Sequence, residues 1–219
     1  MIFKIPDILA PEELKYITSS LAEAEFVDGK LTAGWHAKLV KHNQQLKYGE
    51  FQQELKELIK KALSRNVLFQ MAVRPKIIHS ILFSRYDTGM SYGRHTDNAL
   101  MGSFARSDVS FTLFLNSPAT YEGGELVIEG ADDEKAYKLE TGEMIVYPST
   151  SLHRVDPVIK GTRLVVVGWV QSLVRDASER EILFELDTVR HAMFAKDGKT
   201  PEFDLIAKSV ANLLRKWAE

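Results

Sequence analysis

Apolar residues recur along the first third of the chain at the spacing of amphipathic helices. In PEELKYITSSLAEA, Leu14, Ile17 and Leu21 share a face, and Pro11 sits where a first helical turn tolerates proline. FQQELKELIKKALSRNV repeats the pattern with Phe51, Leu55, Leu58, Ala62 and Leu63, which predicts a second helix. Between them, GKLTAGWHAKLVKHNQQL has no sustained period and is too long for a simple turn. From about residue 76 the period falls to two. KIIHSILFSRY reads as a strand, followed by a Gly-containing loop, DTGMSYG. DVSFTLFLN sets Val109, Phe111, Leu113 and Leu115 against Ser110, Thr112 and Asn116. GGELVIE and EMIVYP read as short strands separated by the turn-like GADDEKAYKLETG. HRVDPVI, KG and TRLVVVGWVQS read as a closing hairpin with a buried second strand. Many short strands with frequent turn residues predict an antiparallel sandwich or barrel.

The tail returns to a helical period. Ser178 and Glu181 form a capping-box pattern, and Ile182, Leu186, Val189 and Met193 follow on one stripe. A second tail helix is predicted to start near Thr200–Pro201 and to present Phe203, Ile206, Val210, Leu213 and Trp217. Both stripes read as packing surface, which either covers the barrel or leaves a homodimer interface.

Length and composition narrow the class. A chain of 219 residues, 45% hydrophobic and 26% charged, suits one moderate domain with a helical appendage. We divide it into an N-terminal helical segment (1–75), a β core (76–173) and a C-terminal helical extension (174–219). With 28 Lys plus Arg against 30 Asp plus Glu, the net charge is −2. No basic excess attracts nucleic acid or an anionic membrane, so neither is an expected partner. MIFKIPDILAPEEL is broken by Pro6, Asp7 and Pro11 and does not read as a signal peptide. No run approaches the roughly 18–20 apolar residues that span a bilayer, and a cytoplasmic location is expected. The chain has no cysteine. Disulfides, thiolate zinc sites, iron–sulfur clusters and cysteine nucleophiles are thereby excluded, and any metal must be held by His, Asp, Glu and water.

Against that background SYGRHTDNAL, residues 91–100, stands out. Side chains two apart on an extended chain point the same way, so His95 and Asp97 can aim a ring nitrogen and a carboxylate at one point. His153 opens a later strand directly after YPSTS. Two imidazoles and one carboxylate make the facial set that leaves open positions on Fe(II), although zinc also takes these ligands. Arg163, ten residues on, starts the buried strand RLVVVGW. A buried guanidinium needs an anion: the far carboxylate of a dicarboxylic acid, or a structural Asp or Glu. His79 and His191 read as packed or surface residues, and His36 and His42 have no evident partner. Gly123–Gly124 in YEGGEL reads as a turn entering a strand, not a phosphate loop.

RYDTGMSYGRHTDNA (85–99) and YPSTSLHRVDPVIKGTRLVVVGWVQS (147–172) resemble the iron- and 2-oxoglutarate-dependent dioxygenases of the prolyl 4-hydroxylase type. More closely, the chain resembles the bacterial PKHD-type hydroxylases, a likeness extended by TAGWHAKLVKHNQQL and WVQSLVRD. The resemblance implies an α+β fold with a double-stranded β-helix (jelly-roll) core, N-terminal helices and a C-terminal helical extension. It implies that His95, Asp97 and His153 ligate Fe(II), and that Arg163 binds the distal carboxylate of 2-oxoglutarate. Tyr86 would line the co-substrate pocket, with Tyr92 as a competitor for that place. Trp169 would be pocket wall, and Asn98 would orient Asp97 or touch substrate. No catalytic residue beyond the metal ligands is implied. The expected reaction uses O2 and 2-oxoglutarate to hydroxylate an unknown primary substrate, a peptide side chain or a small metabolite, with release of succinate and CO2. L-Ascorbate is the expected reductant. Two rival readings are a non-catalytic sensor of iron and 2-oxoglutarate on the same fold, and a metal-free β-sandwich binding protein. The latter needs His95, Asp97, His153 and Arg163 all to be coincidental.

Overall fold

Two antiparallel sheets pack face to face in the computed structural model, which describes residues 1–102 and 104–219. The strands are β1 (Phe3–Ile5), β2 (Phe26–Asp28), β3 (Lys41–His42), β4 (Gln44–Leu46), β5 (Pro75–Asp87), β6 (Ser91–His95), β7 (Leu100–Met101) and β8 (Ala105–Arg106). They continue with β9 (Val109–Phe114), β10 (Tyr121–Gly123), β11 (Leu126–Glu129), β12 (Glu134–Tyr137), β13 (Met144–Pro148), β14 (His153–Val155) and β15 (Val158–Ser172). The major sheet runs β1-β13-β9-β15-β5-β4-β2, with β10 also paired to β15; the minor sheet runs β12-β11-β14-β6-β3. β7 and β8 form a separate hairpin. This is a jelly-roll within an α+β chain, as expected.

The period-two pattern explains why the major sheet is buried on both sides. Val109, Phe111 and Leu113 of β9 and Met144 and Val146 of β13 pack under helices α1 (Pro11–Ala22), α2 (Glu50–Arg65) and α3 (Val67–Val73). Phe114, Ile145 and Tyr147 point the other way, into a second core shared with Leu126, Ile128 and Val155 of the minor sheet. Each fully buried Phe or Leu contributes about 1.5–3 kcal/mol, so the alternation fixes both faces. The first 75 residues do more than supply helices. They lend β1, β2 and β4 to the major sheet and β3 to the minor one.

Several sequence expectations change. The helix expected over 51–67 forms as α2 but ends at Arg65, because Asn66 adopts an extended conformation and its side chain accepts from Phe69 N (2.9 Å) to cap a separate helix, α3. The stretch 29–46 is two 3₁₀ turns, Gly29–Thr32 and Ala37–Leu39, followed by β3 and β4. Ser91 already belongs to β6, and the turn-like 130–142 contains β12. The closing hairpin does not form. β14 pairs with β6 and β11, while β15 runs straight through Lys160–Gly161. There Gly161 (φ +80°) lets Thr120 O lie 2.4 Å from where a Cβ would sit, so β10 can pair alongside.

Helix α4 (Ala177–Asp197) is capped by Asp176, which accepts from Ser178 N and Glu179 N, and not by a Ser178–Glu181 box. Its buried face is Arg180, Leu183 and Asp187, while Ile182 and Val189 of the expected stripe are exposed. Helix α5 (Pro201–Trp217) starts where expected, with Thr200 as its cap, and packs Ile206, Val210, Leu213 and Trp217 around Leu183 and Val174. No helix of the described residues is long and apolar enough to cross a membrane.

Candidate metal centre

β6 and β14 are neighbours in the minor sheet, and their pairing sets His95 directly opposite His153. The two rings lie 4.3 Å apart. Asp97 follows two residues past the end of β6 and brings Oδ2 to 3.9 Å from His153 Nε2. One ligand atom from each of His95, Asp97 and His153 lies within 4.8 Å of the others, a group that can hold a metal ion. The sheet also chooses the tautomers. Nδ1 of His95 donates to Gly93 O (2.8 Å) and Nδ1 of His153 to Ser151 O (3.0 Å). A carbonyl only accepts, so each Nδ1 carries a proton and each Nε2 keeps its lone pair for a metal. Burial, and then the neighbouring His153, push the His95 imidazolium down to about 4, so this ring is neutral at pH 7.

These residues open on a cavity of about 560 Å³ between the sheets, whose wall also includes Arg163 and Tyr86. The two are directly opposed across β15 and β5, and the guanidinium lies 5.0 Å from the Tyr86 ring and 5.4 Å from that of Phe114. Arg163 is 1% exposed. Its Nε and Nη1 have no hydrogen-bond partner, and it makes no ion pair among the described residues. The structural salt bridge that could have explained this arginine is therefore not there. A planar cation with two unpaired donors, facing a cavity, fits the carboxylate of a bound dicarboxylic acid. Gly124 (φ +68°) is what brings the neighbouring chain so close: a Cβ there would lie 3.1 Å from Arg163 Cδ. Tyr86 is buried, and burial pushes its hydroxyl above the usual phenol range. Tyr92 stacks on His95 instead, with ring centroids 3.7 Å apart.

Family comparisons agree with this geometry. Residues 81–171 match the 2OG-Fe(II) oxygenase superfamily. A PKHD-type hydroxylase of Gloeothece citriformis is 71% identical over the full length of both chains, and one of a Picosynechococcus strain is 67% identical over the same extent. The chain belongs to the PKHD-type hydroxylases. It is thus an oxidoreductase of the 2OG-Fe(II) oxygenase superfamily, membership of which implies Fe(II) and 2-oxoglutarate. The fold is shared with a prolyl-4-hydroxylase from Pseudomonas putida (TM-score 0.51, 19% identity, 78% of this chain and 92% of that one). It is shared also with a 2OG-Fe(II) oxygenase-family oxidoreductase from Burkholderia pseudomallei (TM-score 0.56, 18% identity, 77% and 82%).

Other residues of this hydroxylase fall where the sequence did not point. Asn98 is exposed at the cavity mouth, and the group that holds Asp97 is Ser110, which donates to Asp97 Oδ2 at 2.6 Å and lies 2.7 Å from Ser149 Oγ. Ser110 and Thr112 form the polar side of a strand whose six residues are all buried, so this side faces the cavity. Lys41, Asn43 and Gln45, spaced by two in KHNQQL, also line it and are buried. Burial pushes the Lys41 ammonium down to about 8. Trp169 is cavity wall, as expected, and its Nε1 has no partner. His79 is held by Ser80 Oγ and Arg106 O; His36, His42 and His191 are exposed. None of these four lines the cavity.

Proposed function

We propose that the chain is an Fe(II)- and 2-oxoglutarate-dependent dioxygenase that hydroxylates an unactivated C–H bond. In this reading His95 Nε2, His153 Nε2 and Asp97 hold Fe(II), and Arg163 receives the distal carboxylate of 2-oxoglutarate beside Tyr86. Residues 76–173 are the catalytic core, 1–75 roof it, and 174–219 brace it. One observation carries the reading: a buried guanidinium with two unpaired donors shares a single cavity with three convergent metal-ligating side chains.

The bound metal and co-substrate supply the oxidising chemistry, in which O2 and 2-oxoglutarate give succinate, CO2 and a hydroxylated product. The protein's part is positional. Backbone carbonyls of Gly93 and Ser151 fix the two rings, and Ser110 fixes the carboxylate. Leu126 and Val155 give the cavity apolar wall and the Phe114 ring packs against the guanidinium, which excludes water and strengthens the charge contact at Arg163. L-Ascorbate serves as reductant in this reading, keeping the metal ferrous between turnovers.

The test is an anaerobic titration of metal-free protein with Fe(II) and then 2-oxoglutarate, followed by visible absorption. Chelation of iron by the 2-oxo acid is expected to give a charge-transfer band, absent in His153→Ala and weakened in Arg163→Ala. Air is then admitted and succinate counted, with and without ascorbate. A folded, iron-loaded protein that gives no band overturns the assignment. A band without succinate release in the presence of any substrate makes the protein a sensor instead.

A further inference from the structure

Lys41 is a cation that the dioxygenase reading leaves over. It lies on β3, paired with Tyr92 of β6, and its Nζ sits 5.2 Å from the Tyr92 ring. It is 5% exposed, makes no ion pair among the described residues, and donates one hydrogen bond, to Thr32 Oγ1 at 3.1 Å. Two residues on, Asn43 is 3% exposed, and its amide stands beside the Tyr86 hydroxyl without a well-aligned hydrogen bond to any group. Gly29 makes the room for it, since a Cβ there would stand 1.9 Å from Asn43 Oδ1. On the major sheet, Trp169 Nε1 adds another unpaired donor to the same cavity.

Charge counting gives the meaning of this cluster. Fe(II) and Arg163 would bring three positive charges, and Asp97 with doubly ionised 2-oxoglutarate three negative ones. The co-substrate end then balances, and Asp97 is the one carboxylate among the lining residues. The Lys41 charge remains, buried and without an ion pair among the described residues, with half-buried Lys56 adding a second lysine to a wall whose free groups are mostly donors. A buried cation in that state is costly unless something anionic joins it.

We propose that Lys41, with Asn43 beside it, is an oxyanion subsite for the primary substrate, which is therefore an anionic molecule bearing a carboxylate or phosphate. The subsite rests on the dioxygenase reading, because that reading assigns Arg163 and Asp97 elsewhere. Its placement one aromatic layer from His95, through Tyr92, would anchor the substrate by its charge with its carbon skeleton toward the metal.

The test uses protein loaded with Mn(II) and saturating 2-oxoglutarate, and reads paramagnetic relaxation of probe protons by NMR. Each anionic probe is paired with a neutral analogue: N-acetylglutamate against N-acetylglutamine amide, in which both carboxylates are carboxamides, and glycerol 3-phosphate against glycerol. At least one anionic member is expected to be relaxed while its neutral partner is not, and 2-oxoglutarate stays bound. Lys41→Met is expected to lower that selectivity about tenfold or more, and Lys41→Arg to retain it. The carboxylate and phosphate arms tell which oxyanion is taken. Equal relaxation of charged and neutral partners, relaxation of neither, selectivity that survives Lys41→Met, or an anion that acts only by displacing 2-oxoglutarate each overturns the subsite. If 2-oxoglutarate itself is not relaxed, the reading beneath it fails, and the subsite with it.

Discussion

Asp97 takes its hydrogen bond from Ser110 on Oδ2, the oxygen that also faces His153. A carboxylate on a strand end rotates freely unless something fixes it, and Ser110, itself met by Ser149, does so from the opposite sheet. Ser110→Ala is therefore expected to weaken Fe(II) or Co(II) binding by roughly 10–100-fold. Anaerobic metal titration checks this; an affinity within a factor of two of the parent would show that Asp97 is held by other means. Arg163 is a separate case, because its partner is a ligand and not a residue. Arg163→Ala is expected to raise KM for 2-oxoglutarate by ~30-fold or more, the loss typical when one half of a buried charge pair goes. Arg163→Lys recovers part of it, since an ammonium cannot make the two-pronged contact. If steady-state kinetics put the loss in kcat with KM unchanged, Arg163 does not carry the co-substrate. The residues that announced themselves in the sequence were those whose chemistry is unusual in a core: His95, Asp97, His153, Arg163. Ser110 and Lys41 did not, because a serine on an alternating strand and a lysine in a polar run both read as solvent-facing.

At the level of elements, turns decide where these side chains end up. Gly124 bends the chain between β10 and β11 in a conformation costly for any residue with a Cβ, and directly over Arg163. Gly124→Ala is expected to cost about 1–2 kcal/mol of stability and also to raise KM for 2-oxoglutarate. Gly142, with φ +84° and nothing within 4 Å, supplies the control: Gly142→Ala carries the backbone strain and leaves KM alone. Equal KM values in the two variants would mean that Gly124 does not seat the arginine. The cap of α4 gives a pH prediction. Hydrogen bonds from the Glu179 and Ser178 amides hold the Asp176 carboxyl below its ordinary range. A depressed folded value means the cap stabilises fully above the unfolded carboxylate range, and that this stability fades as pH falls through the folded value. Asp176→Asn is thus expected to lower Tm by a few degrees near neutrality and by little in acid. A Tm difference that is constant with pH would contradict it. Period is readable in elements of five residues or more whose two faces differ in polarity, as in β9, α2 and α5. β3, β4 and β12, two to four residues long, are too short to show one. Lys160–Gly161 has the composition of a turn, yet there the glycine admits a neighbouring strand and β15 runs on.

For the whole molecule, the tail is bound to the N-terminal layer through charge as well as apolar contact. Arg74 ends α3, and its guanidinium pairs with Asp187 of α4 and donates to Leu183 O at 3.3 Å. The pair is buried, with side chains 10% and 5% exposed. Nearby, Ser172 at the end of β15 donates to Val73 O (2.8 Å), and Arg180 donates to Val174 O (2.8 Å), so α3, α4 and the longest strand meet at one junction. At that junction the inward face of α4 carries Arg180 and Asp187, which look like surface residues in sequence, so the apolar stripe does not mark the buried side. Asp187→Ala leaves Arg74 buried without its anion, a loss of about 3–5 kcal/mol. For a chain of this length that corresponds to a fall in Tm of roughly 10 °C. Arg74→Met with Asp187→Leu removes both charges and is expected to recover most of it, since a buried pair is worth little more than well-packed apolar side chains. Thermal unfolding of the parent, Arg74→Met, Asp187→Leu and the double variant closes the cycle, with Asp187→Ala alongside. A single variant that melts within 2 °C of the parent would detach the tail from the stability of the core. Because neither residue lines the cavity, KM for 2-oxoglutarate below the melting range is expected to stay the same throughout the set. A change there would mean that the tail reaches the site through β15, the strand that carries Arg163 in its first half and ends at Ser172.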